Sequence, residues 1–141
     1  MSSIQLGITK IKDIEFYVDE NITINSNELV SINFEVHLSL NAELKFIDFI
    51  LGVRYLYENE QCFLRIKTSN VFVIPTFDQL EKSNDNDPLI PESLLVTMLS
   101  LSISHTRALL AKNSLGTKFS DYYIPIVNPK DLAADLFKKE D

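Results

Sequence analysis

Two histidines, His37 and His105, one cysteine, Cys62, and three glycines, Gly7, Gly52 and Gly116, are the residues of this 141-residue chain from which a metal, thiol or phosphate site would most readily be built. The histidines share no HxxxH spacing and the lone cysteine no CxxC partner, so a metal or nucleophile centre would need carboxylates brought in by the fold. Both histidines read as structural. The glycines match neither a GxGxxG nor a GxxxxGKS loop, which leaves nucleotide binding and ATP-driven work without support. Acidic residues are scattered without an evident acid/base couple. Asp13, Glu15 and Asp19 form the one acidic run near a strand, a solvated face or a weak docking surface. No cofactor is expected.

Charge and length narrow the classes further. Twenty acidic residues against thirteen basic ones give a net charge of −7, which repels a phosphate backbone at long range and steers basic protein segments inward. Nucleic acid is therefore an unexpected partner. With one cysteine no internal disulfide can form, and Cys62 reads as a small apolar strand residue of a protein in a reducing compartment. Met1-Ser2-Ser3 runs directly into Ile4, Leu6 and Ile8 without the basic and apolar blocks of a leader, so a cytoplasmic location is expected. The longest apolar stretch, Leu94 to Ile103, is broken by Thr97, Ser100 and Ser102 and falls short of the roughly 20 residues that cross a bilayer. No membrane insertion is expected.

Residues with little reactive chemistry leave the elements themselves to explain the protein. Length predicts one domain over residues 1–141. Apolar Val30, Ile32, Phe34, Val36, Leu38 and Leu40 alternate with polar residues, the period of a half-buried strand over about 29–40. A first strand over about 4–18 slips register between Ile8, Ile11 and Ile14, which predicts a bulge or bend near Thr9 to Asp13. A third over about 45–57 puts Ile47, Phe49, Leu51, Val53, Tyr55 and Tyr57 on one face, with Ile50 and Leu56 on the other, the mark of a central strand. After a turn at Glu58-Asn59-Glu60, a fourth strand over about 61–74 ends at Pro75, which cannot donate to a ladder.

A long connection over 75–91 follows, polar at its centre and punctuated by Phe77, Leu80, Leu89 and Ile90; loops of this length tend to be functional or mobile. A helix over about 92–113 comes next, with Gly116 a natural stop. Thr97, Ser100, Ser104, Ala108 and Ala111 make a stripe of small residues along it. Because this helix is apolar around more than one face, the stripe is expected to seat a second subunit. Asn128-Pro129-Lys130-Asp131 then opens a short helix over about 129–138, with Leu132, Leu136 and Phe137 on its buried face. The fold class is α+β: a four-stranded antiparallel sheet followed by one long and one short helix.

Several short phrases in this order resemble those of SecB, the export chaperone family. Lys12-Asp13-Ile14 followed by Phe16 is similar to the family's first-strand phrase, and Val71-Phe72-Val73-Ile74 to its Ile-Phe-Ser-Ile run. Leu115-Gly116-Thr117 resembles its Arg-Gly-Thr after the long helix. Pro125, Val127-Asn128 and Leu132 resemble its Pro-Val-Asn-Phe-Asp-Ala-Leu ending, with Ile126 inserted. The likeness spans nearly the whole chain.

The resemblance implies an ATP-independent holdase that assembles as a homotetramer, a dimer of dimers, and binds unfolded polypeptides in long hydrophobic grooves. Carried over by position, the groove residues are Val36, Leu38 and Leu40 of the second strand, Phe72 and Ile74 of the fourth, and Phe77 and Leu80 beyond it. Asp13 and Glu15 are the residues expected to dock a partner such as the SecA motor. Two departures count against that coupling: Tyr17 stands where the export branch has an acid, and Arg65 replaces another. A dedicated chaperone for one fixed partner such as an antitoxin is the alternative. An enzyme is not expected; a closed pocket joining His105 to a carboxylate would argue for one.

Overall fold

A computed structural model describes residues 6–85 and 88–137. Ile4, where the first strand was expected to begin, Asn86 and Asp87 of the long connection, and position 138 of the last helix lie outside the described residues. Four strands, β1 (Gly7–Val18), β2 (Val30–Asn41), β3 (Phe46–Tyr57) and β4 (Gln61–Val73), form an antiparallel sheet in the order β1-β4-β3-β2. Two helices, α1 (Glu92–Asn113) and α2 (Pro129–Leu136), follow it. The α+β class expected from the residue pattern is the one found.

Alternation explains which face the helices cover. On β3, Ile47, Phe49, Leu51, Val53 and Tyr55 are buried, and the register sets them beside Phe72, Asn70, Thr68, Ile66 and Leu64 of β4. Leu94, Met98, Leu99, Ile103 and Leu110 of α1 close that core from above. The opposite face carries Asp48, Ile50, Gly52 and Arg54 of β3 opposite Val71, Ser69, Lys67 and Arg65 of β4. α1 has the length and apolarity of a membrane-crossing helix. In this fold its apolar stripe is packed on the sheet, and core helices meet the same criterion.

β1 shifts register twice, between Ile8 and Lys10 and between Asp13 and Glu15. Each shift leaves one extra residue, Thr9 and then Ile14, and each returns the alternation to the core face. The β3–β4 turn holds Glu58 and Asn59 in the left-handed region, at φ 56° and 58°, which matches the twist of a tight hairpin. At the far end of α1, Gly116 turns the chain at φ 83°, a conformation that costs glycine little.

Between the helices runs a strap, residues 117–128, wound in turns as far as residue 121 and running without turns from 122 on. Arg107 of α1 holds it by donating from Nε to the carbonyl of Ile124 and from Nη2 to that of Pro125, both at 2.9 Å. Lys118 donates to the carbonyl of Ile22. Tyr122 of the strap packs edge-on against Tyr55 and Phe63, and Phe119 lies tilted on Phe63. The strap ends at Asn128, whose Oδ1 accepts from the amides of Lys130 and Asp131 at 3.0 and 3.2 Å and so caps α2.

Candidate functional site: an apolar groove beside the sheet

Two adjoining hollows lie where the loop after β4, the start of α1 and α2 converge. One, of about 370 Å³, is lined by Gln79, Leu80, Glu81, Leu89, Ile90 and Pro91. The other, of about 390 Å³, is lined by Ile90, Glu92, Leu95, Ala133, Ala134 and Phe137. Ile90 belongs to both, so the two read as one groove with an apolar floor and two acidic rim residues, Glu81 and Glu92. Each wall has a local cause. The short 3-10 turn Phe77–Gln79 plugs Phe77 into the core, and the bond from the Leu89 amide to the Glu81 carbonyl, 2.7 Å, closes the base of the loop. Phe137 packs edge-on against Phe49, with centroids 6.4 Å apart, which ties the α2 wall to the sheet.

The residues expected to line a groove divide between surface and core. Leu40 is 39% exposed at the free edge of the sheet, with Val36 and Leu38 half-buried beside it. Phe72 and Ile74 have no exposed surface, and Phe77 and Leu80 only 3% and 6%. Leu80 nonetheless forms part of the groove wall. Leu89, Ile90, Leu95, Ala133, Ala134 and Phe137 were not singled out as groove residues. The apolar pair Leu89-Ile90 at the end of a polar loop was the signal that could have found the entrance.

Asp13 and Glu15 fall on opposite faces. The register shift between them turns Asp13 toward α1, where Asn113 Nδ2 donates to its carboxylate at 2.8 Å. Glu15 faces outward and pairs with Arg65, whose guanidinium also lies over the Tyr17 ring, 5.0 Å from its centroid. On α1, Thr97, Ser104 and Ala108 are exposed, and Ser100 and Ala111 are half-buried. The stripe therefore faces away from the sheet. Thr97 and Ser104 bond back to the carbonyls of Ser93 and Ser100, so their hydroxyls are satisfied within the helix.

His105 joins a polar seam inside the core. Thr68 and Thr106 share a hydroxyl hydrogen bond of 2.8 Å. Asn70 donates from Nδ2 to Thr68 Oγ1 and to the Phe49 carbonyl, both at 3.0 Å. Its carbonyl then accepts from His105 Nδ1 at 2.8 Å, which fixes the proton on Nδ1. Burial lowers the His105 pKa by disfavouring the cation. Its bonded partner is thus an amide, not a carboxylate. Burial also pushes the Tyr55 phenol well above its usual range, against the opposing effect of Arg107. Among the described residues no group of three or more histidines, cysteines and carboxylates is arranged to hold a metal.

No protein-family model matches the chain, and no curated protein does. Among solved structures, the chain is similar to the SecB-like chaperone Rv1957 of Mycobacterium tuberculosis, determined in complex with a ChAD peptide from the antitoxin Rv1956 HigA1. The likeness covers 86% of this chain and 90% of that one, at 11% identity and a TM-score of 0.48.

Proposed function

We propose that this protein is an ATP-independent holdase that receives non-native polypeptide in the groove between the post-sheet loop, α1 and α2. The observation that carries this reading is the groove itself: open, mostly apolar, walled by Leu80, Leu89, Ile90, Leu95 and Phe137. Burying one client leucine or phenylalanine there is worth about 1.5–3 kcal/mol. Two or three such side chains contribute roughly 3–9 kcal/mol before the cost of ordering the client, so one groove alone binds weakly, and its binding depends on apolar area and not on a sequence code.

The outward small-residue stripe of α1 supports assembly through that helix, and a cytoplasmic homotetramer completes the proposal. Engagement of Glu15 by Arg65 and of Asp13 by Asn113 favours a version without SecA coupling; a client restricted to one dedicated partner such as an antitoxin is the second reading. Light scattering coupled to size exclusion and an aggregation assay with a chemically denatured substrate, without ATP, test the holdase. A monomer that leaves aggregation unchanged defeats it. Competition by unrelated unfolded proteins then separates the general from the dedicated version, since only a general holdase is displaced.

A further inference from the structure

The face of the sheet turned away from the helices is cationic, although the chain carries a net charge of −7. Register places Arg54 of β3 directly across from Arg65 of β4, followed by Lys67 of β4 and then Lys12 and Lys10 of β1. These five residues form a diagonal stripe over three strands. With about 4.8 Å between strands and about 3.4 Å per residue along them, the stripe is roughly 22 Å long. Among the described residues three carboxylates share the face, two in ion pairs and Asp48 hydrogen-bonded to a neutral hydroxyl, so the five cations leave an excess of positive charge. Glu15 pairs with Arg65, and Glu35 reaches Lys67 at 3.7 Å. Asp48 accepts from Ser69 at 2.6 Å.

Among the described residues, Lys10, Lys12 and Arg54 make no ion pair. Like charges directly opposite one another destabilise a sheet, and Arg54 facing Arg65 is such a pair. The remaining acids nearby, Glu58 and Glu60, sit in the β3–β4 turn beyond Leu56 and Cys62. Beside Lys67 the face is dished. Gly52 leaves a depression of about 270 Å³ lined with Glu35, Val36, His37, Ile50 and Lys67, room for one side chain over a partly apolar floor.

The geometry points to an extended acidic polypeptide segment as the partner of this face. About six or seven residues span the stripe, and carboxylates on alternate positions meet Arg54, Lys12 and Lys10 while intervening side chains reach the depression. A polypeptide is favoured over nucleic acid because the whole-chain charge opposes a polyanion that extends past the stripe. This surface is separate from the groove and does not depend on it.

The test is fluorescence anisotropy with a labelled octapeptide that alternates glutamate and serine. Binding is expected to weaken about tenfold in the Arg54→Glu/Lys12→Glu variant and several-fold between about 0.15 M and 0.5 M salt. Lys10→Gln/Lys12→Gln, on exposed edge positions that leave the core untouched, should lose about threefold. Suppression of aggregation should be unchanged in both variants. Equal binding of the glutamine-for-glutamate peptide, or unaltered affinity in both variants, overturns the assignment. So does displacement of the peptide by a single-stranded oligonucleotide at lower concentration, which would give the face to nucleic acid.

Discussion

Replacing Asn70 with leucine keeps the number and branching of the side-chain heavy atoms and removes every polar function from the centre of the seam between β4 and α1. Asn70 has no exposed surface, and the substitution deletes three hydrogen bonds, to the Phe49 carbonyl, Thr68 Oγ1 and His105 Nδ1. Each is worth about 1 kcal/mol net, and stranding a buried partner costs about 1–3 kcal/mol. Thr68 keeps Thr106, and His105 is open enough to find water, so the Phe49 carbonyl bears most of the stranding. The expected loss is about 2–4 kcal/mol. In a domain whose whole stability is about 5–15 kcal/mol, that lowers the melting temperature by roughly 5–15 °C.

Thr106→Val is the calibrating variant. It removes one bond to Thr68, which retains Asn70, and one back-bond to the Ser102 carbonyl, so it should cost only about 1 kcal/mol. Urea unfolding followed by circular dichroism at one protein concentration gives both midpoints and slopes; fixed concentration matters because assembly contributes to apparent stability. An Asn70→Leu midpoint equal to wild type, or a Thr106→Val cost as large as that of Asn70→Leu, would refute the account of the seam.

Asn128→Ala should cost about 1 kcal/mol, because two amides of α2 lose their cap, and should weaken client capture by loosening the Ala133–Phe137 wall; thermal melts and peptide binding read the two effects. Phe137→Ala should reduce aggregation suppression several-fold while a Leu115→Ala control, exposed and outside the groove, leaves it intact. Because burial holds the folded His105 pKa below its unfolded value, the folded state takes up fewer protons. Its contribution is complete above pH 6.5 and is lost as pH falls through the lower folded value, so urea midpoints should drop on acidification and His105→Gln should flatten that decline. Gly52→Ala brings a Cβ within 2.8 Å of Glu35 Cγ and Oε1. Glu35 is exposed and flexible, so the expected cost is under about 1 kcal/mol, with Glu35→Ala restoring the difference in a double-variant melt.

Much of the fold was legible because its signals are local. Strict alternation from Val30 to Leu40 marks β2, two apolar faces mark β3 as central, and Asn128-Pro129 announces α2 before any packing is known. Facing is not local. Two residues apart in a regular strand, Asp13 and Glu15 would share a side; one extra residue at Ile14 separates them, and a spacing of three between Ile11 and Ile14 does not say where the extra residue goes. Burial is likewise a tertiary outcome. Phe72, Ile74 and Phe77 have the composition of an exposed apolar surface, but the helices and the loop arrive over them and leave the opening one layer further out, at Leu80, Leu89, Ile90, Leu95 and Phe137. The cationic stripe was hidden for the same reason: Arg54, Arg65, Lys67, Lys12 and Lys10 come from three strands and meet only through pairing register.

With two carbonyls in the grip of its guanidinium, Arg107 pins the middle of the connection between the long and short helices, while Lys118, Phe119 and Tyr122 hold its start. An eight-residue helix has little stability of its own, so its station over the sheet is inherited from that grip, from the Asn128 cap and from Ala133 and Phe137 packed on the core. Loss of the Arg107 grip would therefore be felt first at α2 and the groove wall it forms, while the sheet and α1 keep their packing, and Phe137 and Ala133 would still hold α2 against the core.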